Sequence, residues 1–221
     1  VTVKLDGVTL GTTTADGAGV WAYDYTGTAI ANGNYTLTAS TTDILGNTGT
    51  ATQAITIDTN APGQNGDGTA PAITAITNDS GTAGDFITND QTLIFNGTAG
   101  AGDVVTVKLD GVTLGTATAN GAGVWSYDYT GTTIANGTYT LAASTTDIAG
   151  NTATASQAIT IDTNAPGQNG DGTAPAITAI TNDSGTAGDF ITNDQTLIFN
   201  GTAGAGDVVT VKLDGVTLGT A

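Results

Sequence analysis

The chain has 221 residues, and its formal net charge of −17 comes from 20 Asp residues against three lysines, with no Glu, Arg or His. A nucleic-acid-binding protein needs clustered Lys and Arg, and an anionic membrane repels such a chain, so we expect neither partner. Cysteine is also absent, so disulfides and thiol chemistry are excluded, and the hydrophobic core and bound ions are left to stabilise the fold.

A 104-residue repeat organises the whole chain. The segment Val-Thr-Val-Lys-Leu-Asp-Gly-Val-Thr-Leu-Gly-Thr starts at Val1, Val105 and Val209. Residues 1–117 differ from residues 105–221 at nine positions, all between 13 and 52. Solenoid and propeller repeats of roughly 20 to 50 residues cannot bury a core alone, whereas about 100 residues suffice for an immunoglobulin-like sandwich. We therefore expect separately folded domains in tandem, a pattern that favours a spacer over a protein with one active site.

The four prolines mark the boundaries between repeats. Pro62, Pro71, Pro166 and Pro175 lie in two copies of Thr-Asn-Ala-Pro-Gly-Gln-Asn-Gly-Asp-Gly-Thr-Ala-Pro, a turn-forming stretch without apolar periodicity. The sequence therefore predicts a C-terminal partial repeat with its linker at 1–66, a complete repeat with its linker at 67–170, and an N-terminal partial repeat at 171–221. With these boundaries, both ends of the chain are expected to lie inside repeats. Because the chain shows no initiator Met, signal peptide or membrane-spanning apolar run, we expect any export signal or anchor to lie elsewhere.

Short runs of alternating apolar and polar residues, separated by Gly, Asn and Asp, predict seven half-buried antiparallel strands in the complete repeat. They cover approximately 73–77, 92–96, 104–110, 112–118, 124–130, 138–146 and 153–162. The predicted fold class is all-β, with tandem immunoglobulin-like Greek-key β-sandwiches in a linear array.

The third and fourth predicted strands are joined by Asp110-Gly111, a strong hairpin signal because a type I′ turn needs positive φ at both central residues. Alternation along the strands also defines an inward face. Its predicted members are Leu93, Phe95, Val105, Val107, Leu109, Trp125, Tyr127, Tyr129, Tyr139, Leu141, Ala143, Ile159 and Ile161. Three of the positions that differ between the copies, 22, 38 and 52, fall on the outward face, which supports this phase of the strands.

Most Asp residues lie in turns, where a short carboxylate can meet backbone carbonyls around a cation. Because alternate loops of antiparallel strands lie at opposite ends of a sandwich, Asp67, Asp103 and Asp147 share one end of the complete repeat. The loop from Asn78 to Asp90, the Asp110 hairpin and the exit with Asp162 and Asn164 share the other end. In a head-to-tail array these two ends meet, so Asp6, Asp58 and Asn60 would face Asp67, Asp103 and Asp147.

Negative charge concentrated at each joint is unfavourable unless a cation occupies it. Calcium accepts six to eight oxygen ligands in flexible geometry, magnesium demands a tighter octahedron, and zinc would need His or Cys. The loop from Asn78 to Asp90 is a second candidate site, although no segment fits an EF-hand, which ends in a Glu that this chain lacks. The predicted cofactor is Ca²⁺. The candidate ligands are Asp6, Asp43, Asp58, Asn60, Asp67, Asp79, Asp85, Asp90, Asp103, Asp110, Asp147, Asp162, Asn164, Asp171, Asp183, Asp189, Asp194 and Asp207.

Four motifs together carry a family resemblance that covers the whole chain. They are the run Asp-Ser-Gly-x-x-Gly-Asp-x-Ile-Thr-Asn-Asp from Asp79, the hairpin Lys-Leu-Asp-Gly-Val, the loop Asp-Ile-Ala-Gly-Asn from Asp147, and the closing Ile-Asp-Thr-Asn-Ala-Pro. They resemble the bacterial Ig-like extender repeats of giant RTX adhesins, and more narrowly those of ice-binding adhesins.

The resemblance implies a secreted, cell-surface-associated protein of a Gram-negative bacterium, exported by a type I system and folded outside the cell with calcium. It implies a long stalk whose repeats contact neighbouring repeats, while other regions of the full protein bind ice or a host surface. It also implies calcium at the joints, carried onto Asp58, Asp67, Asp162 and Asp171.

Other functions stay open as alternatives. Trp21 and Trp125 could stack on carbohydrate, although their phase in the strand favours core packing. Runs such as Thr116–Thr118 could bind ice directly, but β-branched residues are common in any strand. Asp79-Ser80-Gly81 matches the aspartic-protease triplet, yet it recurs at Asp183 without a two-lobe context, and no paired acid and base marks a glycosidase, so we expect no enzyme.

Overall fold

The computed structural model describes residues 1–221 and consists of strands joined by turns. The sixteen strands are β1 Thr2–Leu5, β2 Val8–Thr12, β3 Gly33–Thr42, β4 Thr48–Ile57, β5 Ala72–Ile76, β6 Ile87–Thr88, β7 Ile94–Thr98, β8 Val104–Leu109, β9 Val112–Thr118, β10 Val124–Asp128, β11 Gly137–Thr146, β12 Thr152–Ile161, β13 Ala176–Ile180, β14 Phe199–Thr202, β15 Thr210–Leu213 and β16 Val216–Thr220. None of these elements is a helix of the kind that can cross a bilayer.

The strands of the middle repeat form two sheets, one with the order β10-β7-β5 and one with the order β6-β12-β11-β8-β9. Residues of the first copy form a sheet with the order β2-β1-β3-β4, which is the order of the equivalent strands β9, β8, β11 and β12. In the third copy β13 pairs with β14, and β15 pairs with β16. The prediction of an all-β protein built from immunoglobulin-like sandwiches is confirmed.

The Asp-Gly hairpin has the backbone that the sequence predicts. Asp110 and Gly111 have φ values of 48° and 80°, as a type I′ turn requires. The same pair of positive φ values recurs at Asp6-Gly7 and Asp214-Gly215. Identical local sequence therefore forms the same turn in all three copies.

The chain divides into two compact units. The first consists of 1–75, 94–128 and 139–158, and the second of 76–93, 129–138 and 159–221. The buried apolar side chains of the first unit include Phe95, Val105, Val107, Trp125, Leu141 and Ala143. Those of the second unit include Ile76, Phe86, Leu93, Ile134, Ile159 and Ile161. Most of the predicted inward residues are thus buried, whereas Leu109 and the three tyrosines are half-buried.

The two-residue strand β6 departs from the predicted set of antiparallel strands. It pairs in parallel with the end of β12, matching Thr160 with Ile87 and Ile161 with Thr88. The main-chain oxygen of Thr88 also accepts a hydrogen bond of 2.9 Å from the Asp162 N–H. A two-residue strand is too short to produce an alternating pattern, so the sequence offered no signal for it.

The same tryptophan has different surroundings in two copies. Trp125 is 1% exposed, and its indole N–H donates a hydrogen bond of 3.1 Å to the Thr98 oxygen. Trp21 is 39% exposed, and residues 20–24 form no strand. β10 pairs with β7, and no copy of β7 precedes residue 20 within the 221 residues. Burial of this tryptophan therefore depends on the partner strand.

Replacing Thr145 with Val is expected to stabilise the protein by about 1–3 kcal/mol, because a buried hydroxyl without a partner costs its desolvation energy. Thr145 is 2% exposed and its Oγ1 has no hydrogen-bond partner. The shift in urea midpoint would measure the effect. Thr41→Val, at the equivalent and exposed position, is the control and should change little. A loss of stability in Thr145→Val would show that the hydroxyl is satisfied after all.

Candidate metal centre

Three carboxylates from two successive copies converge in the first compact unit. Asp58 follows β4, Asp67 lies in the linker before β5, and Asp147 follows β11. Their nearest carboxylate oxygens all lie within 4.8 Å of one another, and all three side chains are half-buried. We refer to Asp58, Asp67 and Asp147 as the aspartate triad. Asp58 belongs to the first copy, while Asp67 and Asp147 belong to the second.

Turns within the linker hold Asp67 in place. The Asp67 N–H donates to the Gln64 oxygen at 2.8 Å, and the Gly63 N–H donates to the Asp67 main-chain oxygen. Asn65 Nδ2 donates to Asn60 Oδ1 at 2.9 Å. Gly63 has a φ of 87°, and a Cβ atom there would lie 2.6 Å from the Ala70 Cβ atom, so only glycine fits. The linker predicted from its turn residues therefore has a defined conformation.

Asn151 organises the other side of the triad. Its N–H and Nδ2 donate to the two carboxylate oxygens of Asp147 at 2.8 and 2.9 Å. Nδ2 also donates to the main-chain oxygen of Asp58 at 3.2 Å, 93 residues away in sequence. One amide thus fixes the Asp147 carboxylate and ties the second copy to the end of the first.

Asp67 and Asp147 have pKa shifts of opposite direction, each with its own cause. Burial, followed by the negative charges of Asp58 and Asp147, raises the pKa of Asp67. The side-chain hydrogen bond from Asn151, together with backbone N–H groups, lowers the pKa of Asp147 despite its burial. Asp67 Oδ2 is shielded from solvent and has no hydrogen-bond partner. Asp67 is therefore the member of the triad whose charge is uncompensated.

A shallow pocket extends from the triad and includes a fourth acidic residue. Asp67, Asp103 and Asp147 line it together with Pro62 and Ile148. Asp103 Oδ2 accepts a hydrogen bond of 3.0 Å from the Gly100 N–H. Asp103 thus lies at the end of the sandwich where the sequence placed it, but outside the triad.

Asp6, Asp110 and Asp43 lie outside the triad, and the first two accept hydrogen bonds from the neighbouring strand whereas Asp43 accepts them from its own loop. The Oδ1 atoms of Asp6 and Asp110 accept hydrogen bonds of 2.6 and 2.7 Å from the N–H groups of Thr36 and Thr140. Asp43 is the first-copy equivalent of Asp147 and makes the same hydrogen bonds to Asn47, but it is exposed. Its pKa is lowered by the Asn47 side chain and backbone.

The linker after the second repeat contains Asp162 and Asp171, the equivalents of two of the three triad residues, Asp58 and Asp67. The Asn164 N–H donates to Asp162 Oδ1 at 2.9 Å, as the Asn60 N–H does to Asp58. Asp171 repeats the turn of Asp67, since its N–H donates to the Gln168 oxygen at 2.8 Å. Asp162 and Asp171 do not form a carboxylate cluster like the triad.

The loop from Asn78 to Asp90 does not form a carboxylate cluster like the triad. Asp79 Oδ2 accepts from the Gly84 N–H at 2.6 Å, and Asp85 Oδ1 accepts from the Ile87 N–H at 2.9 Å. Asp90 Oδ2 accepts from Asn78 Nδ2 at 2.6 Å. The equivalent loop with Asp183, Asp189 and Asp194 repeats this pattern, and Asp207 repeats the turn of Asp103. Sequence reasoning could not separate carboxylates that close turns from those that converge.

The triad fits a calcium ion by its donor set and spacing. Calcium binds oxygen ligands at 2.3–2.6 Å, so two ligands on opposite sides of one ion are about 5 Å apart. The 4.8 Å limit for the three carboxylates satisfies this condition. The remaining positions could be filled by carbonyl oxygens and water, the other ligands that calcium prefers.

Asp67→Asn is expected to stabilise the calcium-free protein at neutral pH and to have no effect in acid. The pKa of Asp67 is raised in the folded state above its ordinary value of 3.8. The contribution of Asp67 to folding stability is therefore fully present below pH 3.8 and is lost as pH rises through the folded-state pKa. The melting-temperature difference between variant and wild type in chelator should therefore grow from pH 3.5 to pH 6. A difference that is constant with pH would contradict the shift.

Comparison with known proteins identifies the family. The model of the bacterial Ig-like domain matches residues 1–59 and 68–163, which is more than half of the chain. Comparison with curated protein sequences gives no significant match. The family is structural and non-enzymatic, so the prediction that the chain is not an enzyme is confirmed.

Several solved structures are similar to parts of the chain. One, described as a Ca²⁺-stabilised adhesin that helps an Antarctic bacterium reach out and bind ice, is 26% identical over 82% of this chain and 43% of its own, with a TM-score of 0.38. One from a 1.5-MDa bacterial ice-binding adhesin is 26% identical over 59% of this chain and 41% of its own, with a TM-score of 0.32. A tetra-tandem repeat from the extending region of a large adhesion protein is 20% identical over 83% and 44%, with a TM-score of 0.33.

The chain thus spans less than half the length of these solved chains. Three findings agree with an Ig-like domain: the match to the family model, the sheet order of the middle repeat and the buried Trp125. The chain belongs to the bacterial Ig-like domain family.

Proposed function

We propose that the chain is a calcium-stabilised extender segment of a secreted bacterial adhesin, located outside the cell and attached to its surface. Its repeats contact one another and project terminal binding domains away from the cell. Ice or a host surface is bound by other regions of the full protein.

The observation that carries this proposal is the aspartate triad, because its ligands come from both sides of a joint. Asp58 ends the first copy, and Asp67 and Asp147 belong to the second. A cation held by all three therefore links two repeats. Within the triad, Asp67 Oδ2 is shielded from solvent and has no hydrogen-bond partner, so a cation there would compensate its charge.

Asn151 and the linker turns hold the carboxylates of the triad in place. Asn151 orients the Asp147 carboxylate and holds the Asp58 main chain beside it. The linker turns present Asp67 toward both. A bound Ca²⁺ would supply the positive charge that three neighbouring carboxylates lack. Without it their mutual repulsion opposes close approach of the repeats, so the joint is expected to loosen before the domains unfold.

Burial of Trp125 favours this function over carbohydrate binding. A carbohydrate-binding module presents an exposed aromatic platform, whereas the Trp125 ring is 1% exposed and packs beside Gly97. A Cβ atom at Gly97 would lie 2.3 Å from the Trp125 ring, so this glycine makes room for the tryptophan.

Small-angle scattering and thermal unfolding of the 221-residue chain, each in calcium, magnesium and chelator, test the proposal. For one site, calcium at ten times its dissociation constant adds about 1.4 kcal/mol of stability. The melting temperature should therefore rise by several degrees. The maximum dimension should increase with calcium and less with magnesium. The extender proposal fails if dimension and melting temperature are the same with calcium and chelator. An ice-shaping assay of the same chain tests the alternative of direct ice binding.

A further inference from the structure

We propose that Asn120 is a modification site, at which the main-chain nitrogen of Gly121 and a water molecule convert the side-chain amide into a carboxylate by spontaneous deamidation. The proposal does not depend on calcium or on the extender function.

Asn-Gly pairs recur along the chain. In such a pair the glycine nitrogen can attack the Asn Cγ atom, because glycine has no side chain to obstruct the approach. The attack needs an accessible pair, a glycine N–H without a hydrogen bond, and donors that stabilise the negative charge developing on Oδ1. The seven pairs begin at Asn32, Asn65, Asn96, Asn120, Asn136, Asn169 and Asn200.

Asn120 meets all of these requirements. It lies in the exposed turn between β9 and β10. The Gly121 N–H makes no hydrogen bond within the chain, and neither does Asn120 Nδ2, the leaving group. Asn120 Oδ1 accepts hydrogen bonds of 2.9 and 3.1 Å from the N–H groups of Ala122 and Val124. Two backbone donors therefore already face the oxygen that becomes negative when Cγ is attacked.

The other six pairs are more restrained. Asn96 and Asn200 lie within β7 and β14, where strand pairing holds the dipeptide extended. The remaining four each make a side-chain hydrogen bond of 2.9–3.0 Å to another side chain, and they are Asn32, Asn65, Asn136 and Asn169. The hydrogen bonds of the Asn120 side chain come only from its own turn. The fold therefore selects Asn120 among pairs of the same sequence.

The reaction needs no reagent other than water. The Gly121 nitrogen loses its proton to solvent base and bonds to the Asn120 Cγ atom. The bond from Cγ to Nδ2 breaks, and the amide nitrogen leaves as ammonia. Water then opens the cyclic imide that has formed. Opening at Cγ gives Asp, and opening at the main-chain carbonyl gives isoaspartate, in which the main chain runs through the former side chain.

The first copy contains the expected product at the equivalent position. Asp16 Oδ1 accepts hydrogen bonds of 2.9 Å from the N–H groups of Ala18 and Val20, as Asn120 Oδ1 does from Ala122 and Val124. The N–H groups of Asp16 and Asn120 both donate at 2.8 Å to the main-chain oxygen four residues later. A carboxylate therefore fits this turn with its hydrogen bonds unchanged. These bonds need a normal main chain, so the folded protein should favour Asp over isoaspartate.

Peptide mapping of the 221-residue chain after incubation at mildly alkaline pH, in buffer and in urea, tests the proposal. Endoproteinase Asp-N cuts before Asp, so Asn120, Asn96 and Asn65 fall on separate peptides, 110–127, 90–102 and 58–66. Asp at position 120 adds a cut, whereas isoaspartate changes the mass of 110–127 without one. In buffer Asn120 should react at least about a hundredfold faster than Asn96, because β7 must open first and core strands open at close to the global unfolding free energy.

Urea removes the differences between the pairs, so their rates should become similar there, and the share of Asp in the product at position 120 should fall. Gly121→Ala is the matched variant, because a Cβ atom there would have no neighbour within 4 Å and the φ of Gly121 lies outside the left-handed region. It should slow the reaction several-fold in buffer and change the melting temperature little. Asn120→Asp should melt at the wild-type temperature.

Four results would each overturn the proposal. They are an Asn120 that reacts no faster than Asn96 or Asn65 in buffer, a Gly121→Ala variant that reacts as fast as wild type, an Asp share no higher in buffer than in urea, and an Asn120→Asp variant with a lowered melting temperature.

Discussion

Replacing Asp147 with Asn is expected to remove most of the calcium-dependent stabilisation of the chain. Asp147 supplies one of three carboxylates that lie within 4.8 Å of one another, and calcium affinity falls as charged ligands are lost. Binding at this joint should weaken by at least about tenfold, and the stability gain of about 1.4 kcal/mol at ten times the wild-type dissociation constant should be largely lost. Calorimetric titration and melting curves with and without calcium would measure both effects.

Asp43→Asn is the matched control, because Asp43 lies in the same loop of the first copy. Both aspartates accept hydrogen bonds from the N–H and Nδ2 of an asparagine four residues later. Asp43 is exposed and has no triad partners among the 221 residues. Loss of turn hydrogen bonds is therefore common to both variants, and only Asp147→Asn loses a triad carboxylate. Equal calcium responses in the two variants would rule out the triad as the site.

Replacing Trp125 with Ala is expected to destabilise the middle repeat by about 3–5 kcal/mol, the usual cost of truncating a fully buried large side chain. The indole is 1% exposed, donates a hydrogen bond to Thr98 and fills the space above Gly97. Gly97 has no side chain that could fill the space, and a Cβ atom there would lie 2.0 Å from the Ala72 oxygen. Urea denaturation followed by circular dichroism would measure the loss.

Trp21→Ala controls for the chemistry of the substitution. The residue is identical, but it is 39% exposed and lies in a segment without a strand partner. The loss of unfolding free energy in Trp21→Ala should be a small fraction of the loss in Trp125→Ala. Similar losses in the two variants would show that the burial difference between the copies does not exist in solution.

Local patterns were sufficient for the strands and the hairpins. Alternation placed Leu93, Phe95 and Trp125 inward, and Asp110-Gly111 predicted a type I′ turn that the structure contains. These features depend on neighbouring residues in the sequence and on the side-chain period of two. Strand β6 shows the limit, since its two residues are defined only by pairing with β12, more than 70 positions later.

The candidate ligands show the same limit more clearly. Sequence placed Asp67, Asp103 and Asp147 at one end of the sandwich, and the structure brings Asp67 and Asp147 together with Asp58. The sequence could not show that the carboxylates of Asp6 and Asp110 accept hydrogen bonds from the backbone N–H groups of Thr36 and Thr140. All of these residues are Asp residues in turns, so the local sequence is the same for a carboxylate that joins the triad and for one that accepts hydrogen bonds from the backbone.

By itself, the sequence determined the repeat period, the all-β class, the turns and the excess of uncompensated carboxylates, because each is a property of residue order and local backbone preference. Tertiary structure decided which carboxylates converge. Asp58 and Asp147 are 89 positions apart and meet because the linker turns back on itself and Asn151 bridges to the Asp58 main chain. Trp125 is excluded from water because β10 pairs with β7, which places the indole ring beside Gly97.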